Sequence, residues 1–106
     1  MKAKDSPTPT RASLARAASL LKIMSHPARL QILHFIEGDE ESVTAIQRHV
    51  GLTQAMTSQH LKILREAEFI QRRRQGTSIF YRVTADPGKK LLEGLRRCQE
   101  LWHDVH

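Results

Sequence analysis

Apolar residues recur at helical intervals in five stretches of this chain and alternate with polar ones in a sixth. From Arg11 to Met24 they fall at Leu14, Ala17, Ala18, Leu21 and Met24, which predicts a first helix with Thr10 or Ser6 at its start. Ser25-His26-Pro27 interrupts it, because proline disfavours the α conformation in the residue before it and suits the first turn of a new helix. A second helix then runs from Pro27 to Ile36, with Leu30, Leu33 and Ile36 inward, and stops at Glu37-Gly38. Ser42 can cap a third helix, Val43 to Val50, with Val43, Ile46 and Val50 inward and Gly51 ending it. Thr53 caps a fourth helix reaching about Ala67, with Met56, Leu61 and Leu64 on its apolar face. Residues 69–75 and 78–83 predict two strands around the turn Gly76-Thr77, since Ile79, Tyr81 and Val83 alternate with Ser78, Phe80 and Arg82. Asp86-Pro87 opens a last helix to about Val105, in which Leu91, Leu95, Cys98, Trp102 and Val105 recur at intervals of four, three, four and three. That rhythm is a coiled-coil-like seam.

These elements predict a mainly α fold with a two-stranded β-hairpin (α+β). Residues 1–10, polar and holding two prolines, read as a disordered arm, and residues 11–106 as one domain. Two short helices about Gly51 followed by a hairpin make a winged helix-turn-helix.

Charge sharpens this picture. The net formal charge is +6, but residues 31–59 carry −3 while residues 60–82, the fourth helix and hairpin, carry +4. A basic surface on those two elements suits a polyanion. A helix fits the major groove, where base edges present distinct donors and acceptors. The fourth helix offers Gln54, Thr57, Ser58 and His60 toward its start, as candidate readers of base edges and phosphate, and Lys62 and Arg65 further along as phosphate contacts. At the wing Arg72, Arg73 and Arg74 follow one another, with Gln75, Thr77 and Arg82 beside them. Side chains alternate across a strand, so all three arginines cannot face DNA equally, and Arg72, Arg74 and Thr77 are the candidates.

Two further helical faces look unsatisfied. Residues 11–24 and 87–105 expose more apolar surface than so small a domain can cover, so a homodimer through Leu14, Leu21, Leu91, Leu95, Cys98 and Trp102 is expected. A single cysteine excludes an intrachain disulfide and a cysteine-rich zinc site. No apolar run is long enough for a membrane helix, and a cytoplasmic location is expected. Nor is there a phosphate-binding glycine loop or a nucleophile–base pair, so catalysis is not expected.

The segments Leu21-Lys22-Ile23-Met24-Ser25-His26-Pro27-Ala28-Arg29-Leu30-Gln31-Ile32-Leu33 and Leu52-Thr53-Gln54-Ala55-Met56-Thr57-Ser58-Gln59-His60-Leu61-Lys62-Ile63-Leu64-Arg65-Glu66-Ala67, with the wing Arg72 to Val83, resemble the ArsR-type winged-helix repressor family. The resemblance spans roughly residues 14–83. It implies a homodimer joined by its first and last helices, repressing from a pseudo-palindromic site on double-stranded DNA. One departure is Glu68, where the family usually has glycine after the recognition helix.

The resemblance also implies places where a signal could act. A Cys-x-Cys metal pair on the third helix would fall at Ser42 and Thr44, neither of which is a thiol. An Asp-x-His pair would fall at Asp86-Pro87-Gly88, which lacks the histidine. His103 and His106 form His-x-x-His near the end of the last helix, but they need further ligands, so no metal and no cofactor is expected. Cys98 could form an intersubunit disulfide, and otherwise is a small residue of the seam. Three readings therefore stand at this point: a repressor without a working metal site, a metal- or redox-responsive repressor using His103/His106 or Cys98, and a winged-helix module that binds protein or RNA.

Overall fold

A computed structural model describes residues 7–103 of the chain, with side chains through Cys98. Five helices and three short strands follow in order: α1 (Arg11–Met24), α2 (Pro27–Ile36), β1 (Glu41–Ser42), α3 (Val43–Val50), α4 (Gln54–Glu66), β2 (Ile70–Gln75), β3 (Ser78–Val83) and α5 (Lys90–His103). Each predicted helix is present, and three of the predicted starts are capped as expected. Thr10 Oγ1 accepts from the Ser13 N–H at 3.0 Å, Ser42 Oγ from Ala45 at 3.1 Å and Thr53 Oγ1 from Met56 at 3.1 Å. Each bond satisfies one of the N–H groups that a helix start leaves free. Gly51 closes α3 at φ 70°, a left-handed conformation that glycine adopts without steric cost.

The sheet has three strands in the order β1-β3-β2, not two. β2 and β3 pair antiparallel from Ile70↔Val83 to Gln75↔Ser78, the hairpin the alternation predicted. The added strand is Glu41–Ser42, paired with Tyr81 and Phe80. It anchors the wing to the start of α3, so wing and helix-turn-helix form one body.

The core lies where α2, α3 and α4 meet the sheet. Ile32, Leu33 and Ile36 of α2, Ile46 of α3, Leu61 and Leu64 of α4, then Phe69, Ile70, Tyr81 and Val83 are buried. Burying one such side chain stabilises the fold by roughly 1.5–3 kcal/mol. The apolar face of α4 differs from the expected one. Thr57, His60, Leu61 and Leu64 form the buried stripe, and Met56 stands 49% exposed.

The end of α4 explains how glutamate replaces the family's glycine. Glu68 takes φ 66°, and the Glu68 and Phe69 N–H groups donate to the Arg65 and Leu64 carbonyls at 2.9 Å each. This is a Schellman end, with fully buried Phe69 and Leu64 supplying its apolar contact. The glutamate holds the left-handed position at a cost of about 1–2 kcal/mol that glycine would not carry.

The last helix begins later than expected. Residues Ala85–Lys89 form a wide turn, and Thr84, not Asp86, caps it. Thr84 knots three segments: its N–H donates to the Phe69 carbonyl at 2.9 Å, its hydroxyl donates to the Glu68 carbonyl at 2.7 Å, and the same oxygen accepts from Gly88 N–H at 3.1 Å. The end of α4, the end of the wing and the start of α5 are thereby fixed together. Gly88 is buried in this knot.

Candidate nucleic-acid interface

Helical spacing sets the surface of α4. Its buried stripe runs through residues 57, 60, 61 and 64, the i, i+3, i+4, i+7 pattern of a helix seated on a core. The opposite side is left to solvent, and Gln54, Ser58, Gln59 and Lys62 are exposed there. Gln54, Ser58, Lys62 and Arg65 follow one another by four, four and three residues along one edge of that surface. They face the wing across a groove of about 260 Å³ whose far side includes Arg72, Ile79 and Tyr81. Five of the residues expected from the sequence to touch DNA therefore line one groove, and three of them are cations.

Thr57 and His60 are corrections. Both were expected on the exposed face, but Thr57 is 1% exposed and His60 8%. They occupy the two buried positions that the stripe ending in Leu61 and Leu64 requires, so polarity misled where spacing did not. The Thr57 hydroxyl oxygen has no hydrogen-bond partner among the described residues. The His60 Nδ1 accepts from Arg29 Nε at 3.3 Å, and its ring meets that of His26 edge-on, with centroids 4.5 Å apart. Burial foremost, then the His26 and Arg29 charges, pushes the His60 imidazole below the ordinary histidine range.

The wing separates its arginines as alternation requires. Arg72 and Arg74 lie opposite Tyr81 and Ile79 on the side that carries the groove, and Thr77 is exposed at the tip beside Gly76. Arg72 and Arg74 make no ion pair among the described residues. Arg73 points to the other side. Its guanidinium donates from Nε to both Glu40 carboxylate oxygens at 3.0 and 3.1 Å, bonds Gln75 at 2.6 Å and lies over the Phe80 ring at 4.9 Å. Hydrogen bonding to Arg73 holds the Glu40 carboxyl below its usual range. Arg82 shares that side and donates to the Gln71 side-chain oxygen at 3.0 and 3.2 Å.

The expected dimer faces are split. Leu14 and Leu21 are 55% and 60% exposed on α1. Leu91 and Leu95 pack, half-buried, against the core of their own domain, where Leu92 is buried, and Cys98 is exposed on this single chain. The side chains of Trp102 and His103, and all of His106, lie outside the described residues. Ser42, at the first of the two thiol positions, spends its hydroxyl capping α3, and Asp86 pairs with Lys90 at 3.3 Å. Gly88 stands where the family's histidine would, and a Cβ there would lie 2.5 Å from the Phe69 carbonyl oxygen, so this backbone has no room for a side chain. Among the described residues, no helix is long and apolar enough to cross a membrane.

Sequence reasoning missed Gln59 and the exposure of Met56. Stepping back by helical turns from Leu61 and Leu64 would have found both, because that stripe passes through 57 and 60 and leaves 56 and 59 outside it.

A helix-turn-helix whose second helix shares a basic groove with a wing defines a DNA-binding transcriptional regulator. The description "bacterial regulatory protein, arsR family" matches residues 26–72. The biofilm growth-associated repressor of Agrobacterium fabrum is 38% identical over 78 residues, which is 74% of this chain and 67% of that one. The transcriptional activator HlyU of Vibrio cholerae is 36% identical over 87 residues, 80% of this chain and 81% of that one. Among solved structures, NolR from Sinorhizobium fredii superposes with a TM-score of 0.76 at 33% identity, covering 87% of this chain and 94% of its own. The chain belongs to the arsR family of bacterial regulatory proteins.

Proposed function

We propose that the chain is a homodimeric repressor that reads a pseudo-palindromic DNA site and acts by binding, without catalysis. The observation that carries this reading is the exposed side of α4, where Gln54, Ser58 and Gln59 stand beside the cations Lys62, Arg65 and Arg72. Glutamine can bond adenine at N6 and N7 together, both on its major-groove edge, serine can bond base or phosphate, and the cations neutralise the backbone. Arg74 and Thr77 extend phosphate contact along the wing. The relatives named as the biofilm growth-associated repressor and as HlyU act with opposite sign. Repression is the simpler outcome here, since a protein seated on a promoter excludes polymerase without needing a second contact surface.

The dimer is supported by Leu14 and Leu21, exposed apolar residues two helical turns apart on α1. A two-fold pair presents two reading helices to successive half-sites. Hydroxyl-radical footprinting on the DNA upstream of the protein's own gene tests both points together. Two protected patches on one face, about 10 base pairs or a multiple apart, are expected. The Leu14→Glu/Leu21→Glu variant should keep its helical circular dichroism, because both positions are exposed, yet lose the paired footprint. A single patch from the unaltered protein would contradict the dimer.

A further inference from the structure

His60 sits on the recognition helix but is nine-tenths buried, facing away from the surface where DNA would lie. Its ring meets groups from two other elements. Arg29 of α2 donates from Nε to His60 Nδ1 at 3.3 Å and from Nη1 to the Ile23 carbonyl, in the last turn of α1, also at 3.3 Å. His26 caps α2 by accepting the Ala28 N–H on its Nδ1 at 3.2 Å, which holds its ring against that of His60. Among the side-chain hydrogen bonds of the described residues, Arg29–His60 is the one that joins α4 to another helix. Apolar packing fixes how deep α4 lies, but it is non-directional. The Arg29 fork is directional, and it links the reading helix to the helix carrying the exposed leucines.

We propose that His60 is a positioning residue: its neutral imidazole, bonded by Arg29, holds α4 at its reading angle, and acidification releases that hold and weakens DNA binding. The inference rests on the DNA-reading role proposed above. An imidazole can accept from Arg29 only while Nδ1 carries a lone pair. A proton there turns the acceptor into a second donor and places a cation beside Arg29. The groups facing the ring are Arg29 and His26 from α2 and its cap, with the Ile23 carbonyl of α1 taken up by Arg29. None of these groups is a carboxylate that could stabilise the imidazolium.

The sign follows from linkage. The folded imidazole lies below the ordinary value of 6.5, so the tethered state binds the proton less readily than the released one. The tether is fully present above that ordinary value and is lost as pH falls from there through the lowered one. A histidine that touched phosphate would behave oppositely, since the imidazolium binds phosphate better.

Fluorescence anisotropy on the duplex from upstream of the protein's own gene, at constant ionic strength from about pH 8 to about pH 5.5, distinguishes the two. The unaltered protein should bind specifically and evenly at the upper end, then weaken about tenfold on acidification, the scale of one charge-assisted hydrogen bond. His60→Asn keeps an acceptor near the Nδ1 position but takes up no proton, and its affinity should not change with pH beyond what the other histidines impose. Should that variant fail to fold, Arg29→Ala serves instead. It should bind at high pH about as weakly as the unaltered protein does at low pH, with the pH dependence flattened. Tightening on acidification, a flat profile in the unaltered protein, or an equal fall in the His60 variant would each overturn the proposal. Absence of specific binding at high pH would instead count against the DNA-reading role itself.

Discussion

Gly88→Ala is expected to destabilise the protein by about 3 kcal/mol or more, the upper range for a side chain forced into a packed site. The added Cβ would lie 2.5 Å from the Phe69 carbonyl oxygen, 2.5 Å from Val83 Cγ1 and 2.8 Å from Thr84 Oγ1. Two of those three atoms cannot swing aside. The carbonyl is backbone, and it already accepts the Thr84 N–H. The Thr84 hydroxyl is held between the Glu68 carbonyl and the Gly88 N–H. Relief therefore requires the wide turn at Ala85–Lys89 to move off the wing, taking the start of α5 with it. Close-packed interiors transmit such a shift rather than absorb it. Urea unfolding followed by circular dichroism measures the loss. A midpoint within error of the unaltered protein would show that the knot around Thr84 is looser than these distances make it.

The second large effect belongs to the wing. Arg72→Ala/Arg74→Ala is expected to weaken binding to every duplex about a hundredfold near 0.15 M salt, and to reduce the slope of log affinity against log salt by roughly two, since each lost phosphate contact removes about 0.9. Arg73→Ala is the informative control. Its guanidinium is engaged by Glu40 and Gln75 on the other side of the strand, so its removal should leave the slope nearly unchanged. The Arg73–Glu40 pair is exposed, and pairs of that kind contribute little to stability, so the control should fold normally. A slope that falls as much for Arg73→Ala as for the double variant would mean that total charge, and not the facing of the strand, governs binding.

Local chemistry was legible in the sequence, and long-range placement was not. Thr10, Ser42, Thr53 and Gly51 mark helix ends because a cap acts on N–H and C=O groups within a few residues of itself. The hairpin was equally plain, because alternation and Gly76 are both local. Alternation put Arg72 and Arg74 on one side of the strand and Arg73 on the other, but only pairing with Tyr81 and Ile79 shows which side carries the groove. β1 was invisible, because it is two residues long and exists only through pairing with Tyr81 and Phe80, some forty residues later. Thr57 and His60 were misplaced because they are polar residues in a buried stripe. Thr57 lies one helical turn before Leu61 in that stripe, and His60 is met there by Arg29, a partner 31 residues away. Gly88 gave no sign either, since its space is taken by Phe69, Val83 and Thr84, which only the fold brings together.

The measurement that bears most directly on the whole account is equilibrium binding to the duplex upstream of the protein's own gene, set against a scrambled duplex of the same composition at about 0.15 M salt. A protein that reads bases through Gln54, Ser58 and Gln59 should prefer its own site by at least ~1000-fold. Equal affinity for the two duplexes would contradict the account, leaving the basic groove between α4 and the wing as a surface for phosphate alone.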